Sequence, residues 1–212
     1  MTDDHGDPAA GPLDVAHLRL VVLLVALLNL GYFGVELTLA LVSGSVSLLA
    51  DSADFLEDTA VNLLVVLALG WPLAQRAAMG KAMAAVLLAP AAVAGWQAVQ
   101  RLGDPVAPRV VPLVLASLGA IAVNGTCAWL LARVHRHGGS LSRAAFLSAR
   151  NDVLVGVAII VMGGVTAATG SGWPDLVLGL AIVALAVIAA REVWEVSEEE
   201  RLAARAIAGD VG

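Results

Sequence analysis

Long apolar stretches separated by short polar breaks dominate the chain. With about 20 apolar residues needed for one bilayer crossing, the pattern predicts six transmembrane helices, at residues 19–42, 46–70, 81–100, 110–132, 144–168 and 175–191. The breaks contain Gly and Pro, as loops do, and Pro90 lies inside the third helix, where we expect a kink. The sequence therefore predicts an all-α integral membrane bundle.

The composition agrees with a membrane location. Of 212 residues, 59% are apolar and only 14% are charged, which is unusual for a soluble domain. The net charge of −6 and the lack of a basic stripe argue against nucleic-acid binding. We expect a polar N-terminal tail over 1–18, a transmembrane domain over 19–194 and an acidic tail over 195–212, and nothing at the N-terminus resembles a cleavable signal peptide.

The basic residues predict the orientation, because cytoplasmic loops retain Lys and Arg. Only Arg101 and Arg109 flank the helices on one side. Seven basic residues flank them on the other: Arg19, Arg76, Lys81, Arg133, Arg136, Arg143 and Arg191. Both termini should therefore be cytoplasmic, in a multi-pass protein of the cell (inner) membrane.

The second helix contains the most informative residues. At 100° per residue, one face of this helix carries a polar stripe of Ser47, Asp51, Asp54, Asp58 and Asn62. An acidic residue near the centre of a membrane helix costs roughly 2.5–3.5 kcal/mol and usually lines an ion or substrate path. Carboxylates four residues apart can hold one divalent cation between them. Glu57 falls off the stripe, so we expect it to support the site from outside.

The fifth helix offers the partner residues. Ser148 and Asp152 share a face, and Asn151 lies beside them. Arg150 either reaches the cytoplasmic interface or pairs with Glu57 or another buried acid. In the first helix Asn29 and Glu36 share a face, so Glu36 either lines the same cavity or forms a structural hydrogen bond.

The donor chemistry of this site leaves the metal open. None of the four histidines lies in a predicted span, and the single cysteine, Cys127, is expected to be a packing residue. The site must then be built from oxygens, which suit manganese, iron(II) and magnesium better than the nitrogen and sulfur ligands that zinc favours.

The stretch Gly44-Ser45-Val46-Ser47-Leu48-Leu49-Ala50-Asp51-Ser52-Ala53-Asp54, with Asp58 four residues later, resembles the second-helix signature of the cation diffusion facilitator transporters. The resemblance covers about residues 15–195. It implies a homodimer in the lipid bilayer that exports a divalent metal, zinc, cobalt or cadmium by family frequency, in exchange for protons. The metal is the transported substrate, and no cofactor is expected.

The resemblance also implies the ligands. It places metal ligands at Asp54, Asp58 and Asp152, with Ser148 or Asn151 completing the site. The fifth-helix pair usually begins with His or Asp, whereas here Ser148 stands at that position. The His-rich loop of the family is reduced to His135-Arg136-His137, and the chain resembles a short branch without the C-terminal cytoplasmic domain.

Three buried acids in a low-dielectric site should hold protons when no metal is bound, and metal should displace them. We expect Asp51, Glu36 and Asn62 to relay protons or metal.

Two other functions remain open. A non-transporting membrane partner subunit would share the composition. An intramembrane CDP-alcohol phosphotransferase would also have six spans and paired Asp residues, but the Gly and Arg that its motif requires do not follow Asp54. We therefore expect no enzymatic activity.

Overall fold

The computed structural model describes residues 12–68 and 72–209, and their regular secondary structure is helical. The prediction of an all-α bundle is confirmed. The helices are α1 (Pro12–Ser43), α2 (Val46–Ala68), α3 (Leu73–Arg101), α4 (Val110–Thr169) and α5 (Trp173–Gly209).

Helix α4 contributes two crossing segments to the bundle. A Cβ atom on Gly156 would lie 2.9 Å from Ile121 Cγ1, and one on Gly163 would lie 2.8 Å from Leu113 Cδ2. Residues so far apart along one helix can meet only if the chain turns back between them. Both pairs are centred on Gly138 and Gly139, where the sequence predicts a break between the fourth and fifth helices. The reversal lies there, although helical conformation runs from Val110 to Thr169 without the predicted gap.

Five helical segments among the described residues are long and apolar enough to cross a membrane: Ala16–Ser43, Ala77–Arg101, Val110–Arg133, Ala149–Thr169 and Trp173–Gly209. The sixth segment is α2, which is 23 residues long and contains four carboxyl groups. The bundle thus has the six predicted segments. Five of them are apolar among the described residues, and α2 differs because of its four carboxyl groups. Pro90 lies inside α3, as expected.

Both terminal helices are longer than predicted. Helix α1 begins at Pro12, and α5 continues past Arg191 to Gly209. The acidic tail predicted from residue 195 is therefore helical as far as Gly209. The added part of α5 contains Glu, Arg and Ala, which favour helix, and Arg201 contacts Glu198 three residues earlier.

Three chain connections meet at one end of the bundle. The Arg109 N–H donates to the Ser43 carbonyl (2.9 Å), and the Gly172 N–H donates to the Pro105 carbonyl (3.2 Å). Gly44, between α1 and α2, has φ +72°, a conformation that glycine adopts without steric cost. The first residue of α1 and the last of α5 therefore lie at the opposite end, in agreement with two termini on one side.

The buried contacts join all the helices, and apolar side chains cover the outside. The Tyr32 ring of α1 packs 5.0 Å from the Phe55 ring of α2, and the Tyr32 hydroxyl donates to the Ala116 carbonyl of α4 (2.5 Å). Helix α3 packs along α5. Large apolar side chains are exposed around the bundle, as lipid contact requires: Leu20, Leu27, Leu41, Val99, Val111, Leu115, Leu154, Val177, Leu185 and Ile188 among them.

Candidate metal centre

A cavity of about 160 Å³ lies among α2, α4 and α5. Its polar wall consists of Asp51, Asp54 and Glu57 from α2 and Asn151 and Asp152 from α4, and we call this space the acidic cavity. Its apolar wall consists of Ala50, Val155, Ile182, Leu185, Ala186 and Ala189. The cavity therefore offers oxygen donors from two helices, while α5 supplies only hydrocarbon.

The carboxyl groups of Asp54 and Asp152 meet across this cavity, within hydrogen-bonding reach of each other. Asp152 is only 7% exposed, and its Oδ2 atom is buried without a hydrogen-bond partner. A buried carboxylate oxygen without a donor is costly, and such an atom is a natural contact for a cation. The predicted pairing of the second and fifth helices is therefore present in space.

Glu57 lies on the same wall as Asp54, although the helical wheel puts it off the polar stripe. It is half-buried and lines the acidic cavity. Residues three apart on a helix are neighbours on its surface, which is why Asp54 and Glu57 face one space. The sequence placed Glu57 only in support of the site from outside, and the i, i+3 spacing was the signal that could have found its position on the cavity wall.

Asp58 and Asn62 lie elsewhere on α2. Both are buried, and neither is among the described residues that line the acidic cavity. The Asn62 amide donates to the backbone carbonyl of Asp58 (2.7 Å). The polar stripe is thus divided between the cavity and the packed interior.

A second pair of carboxyl groups lies between α1 and α2. Glu36 is fully buried, and its side chain is within hydrogen-bonding reach of Asp51, which is itself 3% exposed. Glu36 therefore faces the acidic residues of α2. Both Glu36 carboxylate oxygens lack a protein hydrogen-bond donor.

Of the remaining predicted residues, the structure describes the side chains of some and not of others. Asn151 is exposed at the edge of the acidic cavity and accepts a hydrogen bond from Arg150 (3.4 Å). The side chains of Ser148, His135 and His137 lie outside the described residues. Cys127 is fully buried in an apolar cluster, 4.0 Å from the Asn29 Oδ1 atom, which suits its predicted packing role.

Two further polar features were not recognised in the sequence. Ser117, Asn124 and Thr166 are buried in α4, each with a polar atom that lacks a partner. Asp175, at the start of α5, accepts hydrogen bonds from the Val46 N–H (2.7 Å) and from the hydroxyls of Ser45 (2.5 Å) and Ser47 (2.6 Å). It thereby fixes the N-terminal end of α2, the helix with the acids, to α5.

Among the described residues, no three His, Cys, Asp or Glu side chains converge closely enough to hold a metal ion by themselves. A cation in the cavity would need water molecules, or rotated side chains, to complete its coordination.

Comparisons with known proteins identify the family of the transmembrane helices. Residues 22–197 match the family model described as the cation efflux transmembrane domain. The chain is 26% identical over 171 residues to the zinc transporter ZitB of Yersinia pestis, covering 74% of this chain and 53% of that protein. It is 27% identical over 175 residues to the zinc transporter ZitB of Pectobacterium atrosepticum, covering 75% and 52%. The chain thus spans about half the length of the curated relatives it matches.

Proposed function

Because the chain belongs to the cation efflux family, we propose that it is a transporter that moves a divalent metal cation out of the cytoplasm in exchange for protons. The family is one of transporters, and its transmembrane domain matches most of this multi-pass membrane chain. The observation that carries the proposal is the pair Asp54 and Asp152, brought together across a membrane-buried cavity.

The proposed metal site uses Asp54, Asp58 and Asp152, with Asn151 or Ser148 as further donors. Asp54, Asp152 and Asn151 are the members that line the acidic cavity. Zinc is the first candidate substrate, since the similar proteins are zinc transporters. Cobalt and cadmium follow from the family resemblance. Oxygen donors also suit manganese and iron(II), so these belong in the same test.

The proposed exchange for protons rests on two pairs of neighbouring carboxyl groups. Two ionised carboxylates offer only acceptors, so a contact between them is a hydrogen bond only when one carries a proton. Asp54 faces Asp152 and Glu36 faces Asp51, and a proton in each pair would turn the repulsion between two carboxylates into a hydrogen bond. A divalent cation that binds these groups replaces the proton. We propose Asp51 and Glu36 as the relay that carries protons, with Asn62 in a supporting position.

We also propose that two copies associate in the membrane, as the family resemblance implies. Crosslinking in native membranes, before detergent is added, tests this part separately from transport.

The decisive experiment measures metal-driven proton movement in sealed proteoliposomes. Zinc, cobalt, cadmium, manganese and iron(II) are supplied in turn, and internal pH and metal uptake are followed together. The test variant combines Asp54→Asn with Asp152→Asn, and the control is Asp104→Asn, an exposed acid in a loop. Uptake of at least one metal with opposite proton movement, lost only in the double variant, supports the proposal.

A different result would favour the partner-subunit alternative. If neither the wild type nor the control moves any of the five metals or any protons, the transport proposal is wrong. The lack of a preformed three-ligand group among the described residues is the observation that keeps this alternative in the test.

A further inference from the structure

The acidic cavity has a donor that the second-helix motif does not include. We propose that Glu57 is a metal ligand, and that it forms with Asp54, Asp152 and Asn151 an all-oxygen site for a partly hydrated divalent cation. This inference rests on the proposed transport function, and it adds one α2 acid to the proposed ligands.

The first support is placement. Asp54 and Glu57 are three residues apart on α2 and line one cavity, whereas Asp58 is not among the described residues of that lining. A ligand must face the space that the cation occupies. Asp51, Asp54 and Glu57 are the α2 acids on this wall, so Glu57 is placed where a ligand is needed.

The second support is the state of Asp152, which lies on the cavity wall opposite α2. Asp152 Oδ2 is buried without a partner, and the Asp152 carboxyl group already contacts Asp54. No basic residue is among the described residues that line the cavity, so no protein cation is placed there to neutralise its four carboxyl groups. A bound divalent cation would supply that charge and satisfy the orphan oxygen.

The third support is the negative charge at the approach to the cavity. Glu192 of α5 is exposed and close enough to Glu57 to interact with it electrostatically. Glu57 and Glu192 therefore make the approach to the cavity acidic, which attracts a cation toward Asp54. Glu57 is half-buried, so it can reach a cation that still has water on its outer side.

The size of the cavity indicates how hydrated a bound cation would be. Its volume of about 160 Å³ has room for a metal ion with several water molecules. Since no three His, Cys, Asp or Glu side chains among the described residues converge closely enough to hold a metal ion, we expect water to fill the remaining positions. Mixed carboxylate, amide and water coordination is typical of manganese(II) sites.

The test uses manganese(II) as the probe, because its electron paramagnetic resonance signal reports binding directly. Purified full-length chain in detergent is titrated as wild type, Glu57→Gln, Asp58→Asn and Asp54→Asn. Glu199→Gln, an exposed acid on the α5 extension, is the control for the loss of one negative charge. Each variant is first checked for its helical content and elution volume.

We expect Glu57→Gln and Asp54→Asn each to weaken manganese binding at least about tenfold, as losses of site residues do. Glu199→Gln should change the affinity less than about threefold, because this exposed acid lies far along α5 from the cavity lining. Glu57→Asp, which keeps the charge on a shorter side chain, should recover part of the loss.

Two results would overturn the inference, and they are distinguishable. If Glu57→Gln binds manganese like the wild type while Asp54→Asn and Asp58→Asn do not, Glu57 is no ligand and the transport proposal stands. If the wild type binds no metal and moves none in proteoliposomes, both proposals fail together.

Discussion

Asp175 Oδ2 accepts a hydrogen bond from the Val46 N–H at 2.7 Å, so the first residues of α5 cap the first turn of α2. A negative charge is favourable at a helix N-terminus, where the N–H groups have no partners within the helix. Asp175 Oδ1 also accepts from the Ser47 N–H (3.2 Å). One buried carboxylate thus orients the helix that contains Asp51, Asp54, Glu57 and Asp58.

Asp175→Ala should destabilise the protein by about 2 kcal/mol or more. The substitution leaves two N–H groups and two hydroxyls without their acceptor in a buried place, and each such group costs about 1–3 kcal/mol. The check is thermal unfolding in detergent, with Asp104→Ala as an exposed control. Equal midpoints for the two variants would contradict the capping role.

Gly179→Ala should also be destabilising, by about 1–3 kcal/mol. A Cβ atom at Gly179 would lie 2.6 Å from Val46 Cγ1 and 2.8 Å from the Ser47 nitrogen, which is backbone and cannot rotate away. Gly164→Ala is the matched control, because a Cβ atom there meets nothing within 4 Å. The same unfolding assay should show Gly164→Ala unchanged or slightly more stable, and a loss of equal size in both variants would refute the steric argument.

Asp54→Asn and Asp152→Asn should each lower the transport rate at limiting metal by about 10- to 100-fold. Because the two carboxyl groups contact each other, the double variant should be little worse than the poorer single one. Initial uptake rates in proteoliposomes are measured for the wild type, the two single variants and the double variant, which together form a double-mutant cycle. Multiplicative losses would show that the residues act independently.

Glu36→Gln should uncouple metal movement from protons while metal binding is retained. The substitution removes a carboxyl group from the inner pair with Asp51 and leaves the polar wall of the acidic cavity unchanged. The measurement is the ratio of protons to metal ions moved, with binding measured in parallel. An unchanged ratio would remove Glu36 from the relay.

Glu198 lies in the polar extension of α5, beyond the predicted span 175–191, and provides a pH-dependent prediction. Hydrogen bonds from Arg201 and Lys81 lower the pKa of Glu198 from 4.5 to about 2. Because the folded-state pKa is the lower one, the stabilisation is complete above about pH 4.5 and is lost as pH falls toward 2. The Lys81 contact ties the start of α3 to the extension of α5, and Lys81 also lies over the Trp194 ring at 5.1 Å.

Glu198→Gln should therefore unfold at a slightly lower temperature than the wild type at pH 7, and the difference should vanish near pH 2. Exposed ion pairs contribute little, so the expected shift is small. Unfolding midpoints across this pH range provide the check, with Glu199→Gln as the exposed neighbour. A difference between Glu198→Gln and wild type that persists unchanged at pH 2 would disagree with this account.

Much of the fold could be predicted because a bilayer makes strong demands on sequence. A crossing segment needs about 20 apolar residues with all backbone groups bonded internally, so hydropathy and Gly or Pro breaks locate the helices. The helix ends were less predictable. Neither the start of α1 at Pro12 nor the extension of α5 to Gly209 follows from hydropathy, because polar residues also form helix.

The candidate site was predictable in part. Asp54 and Asp152 were expected as ligands of one site and Asp51 as a relay beside it, and all three line one cavity. A helical wheel gives the angle of a residue around its own axis, but it does not say where a neighbouring helix stops and a cavity begins. For that reason Glu57 was set aside and Asp58 was expected in the same space as Asp54.

By itself the sequence determined that acids lie within an apolar helical bundle, since the energetic cost of each acid in lipid is a property of composition and position along the chain. Only the tertiary structure decided which acids share a space and what holds them there. Asp54 meets Asp152, Glu36 meets Asp51, and Asp175 caps α2 from 129 residues away. Such contacts depend on how helices distant in sequence pack, and no local pattern along the chain encodes that geometry.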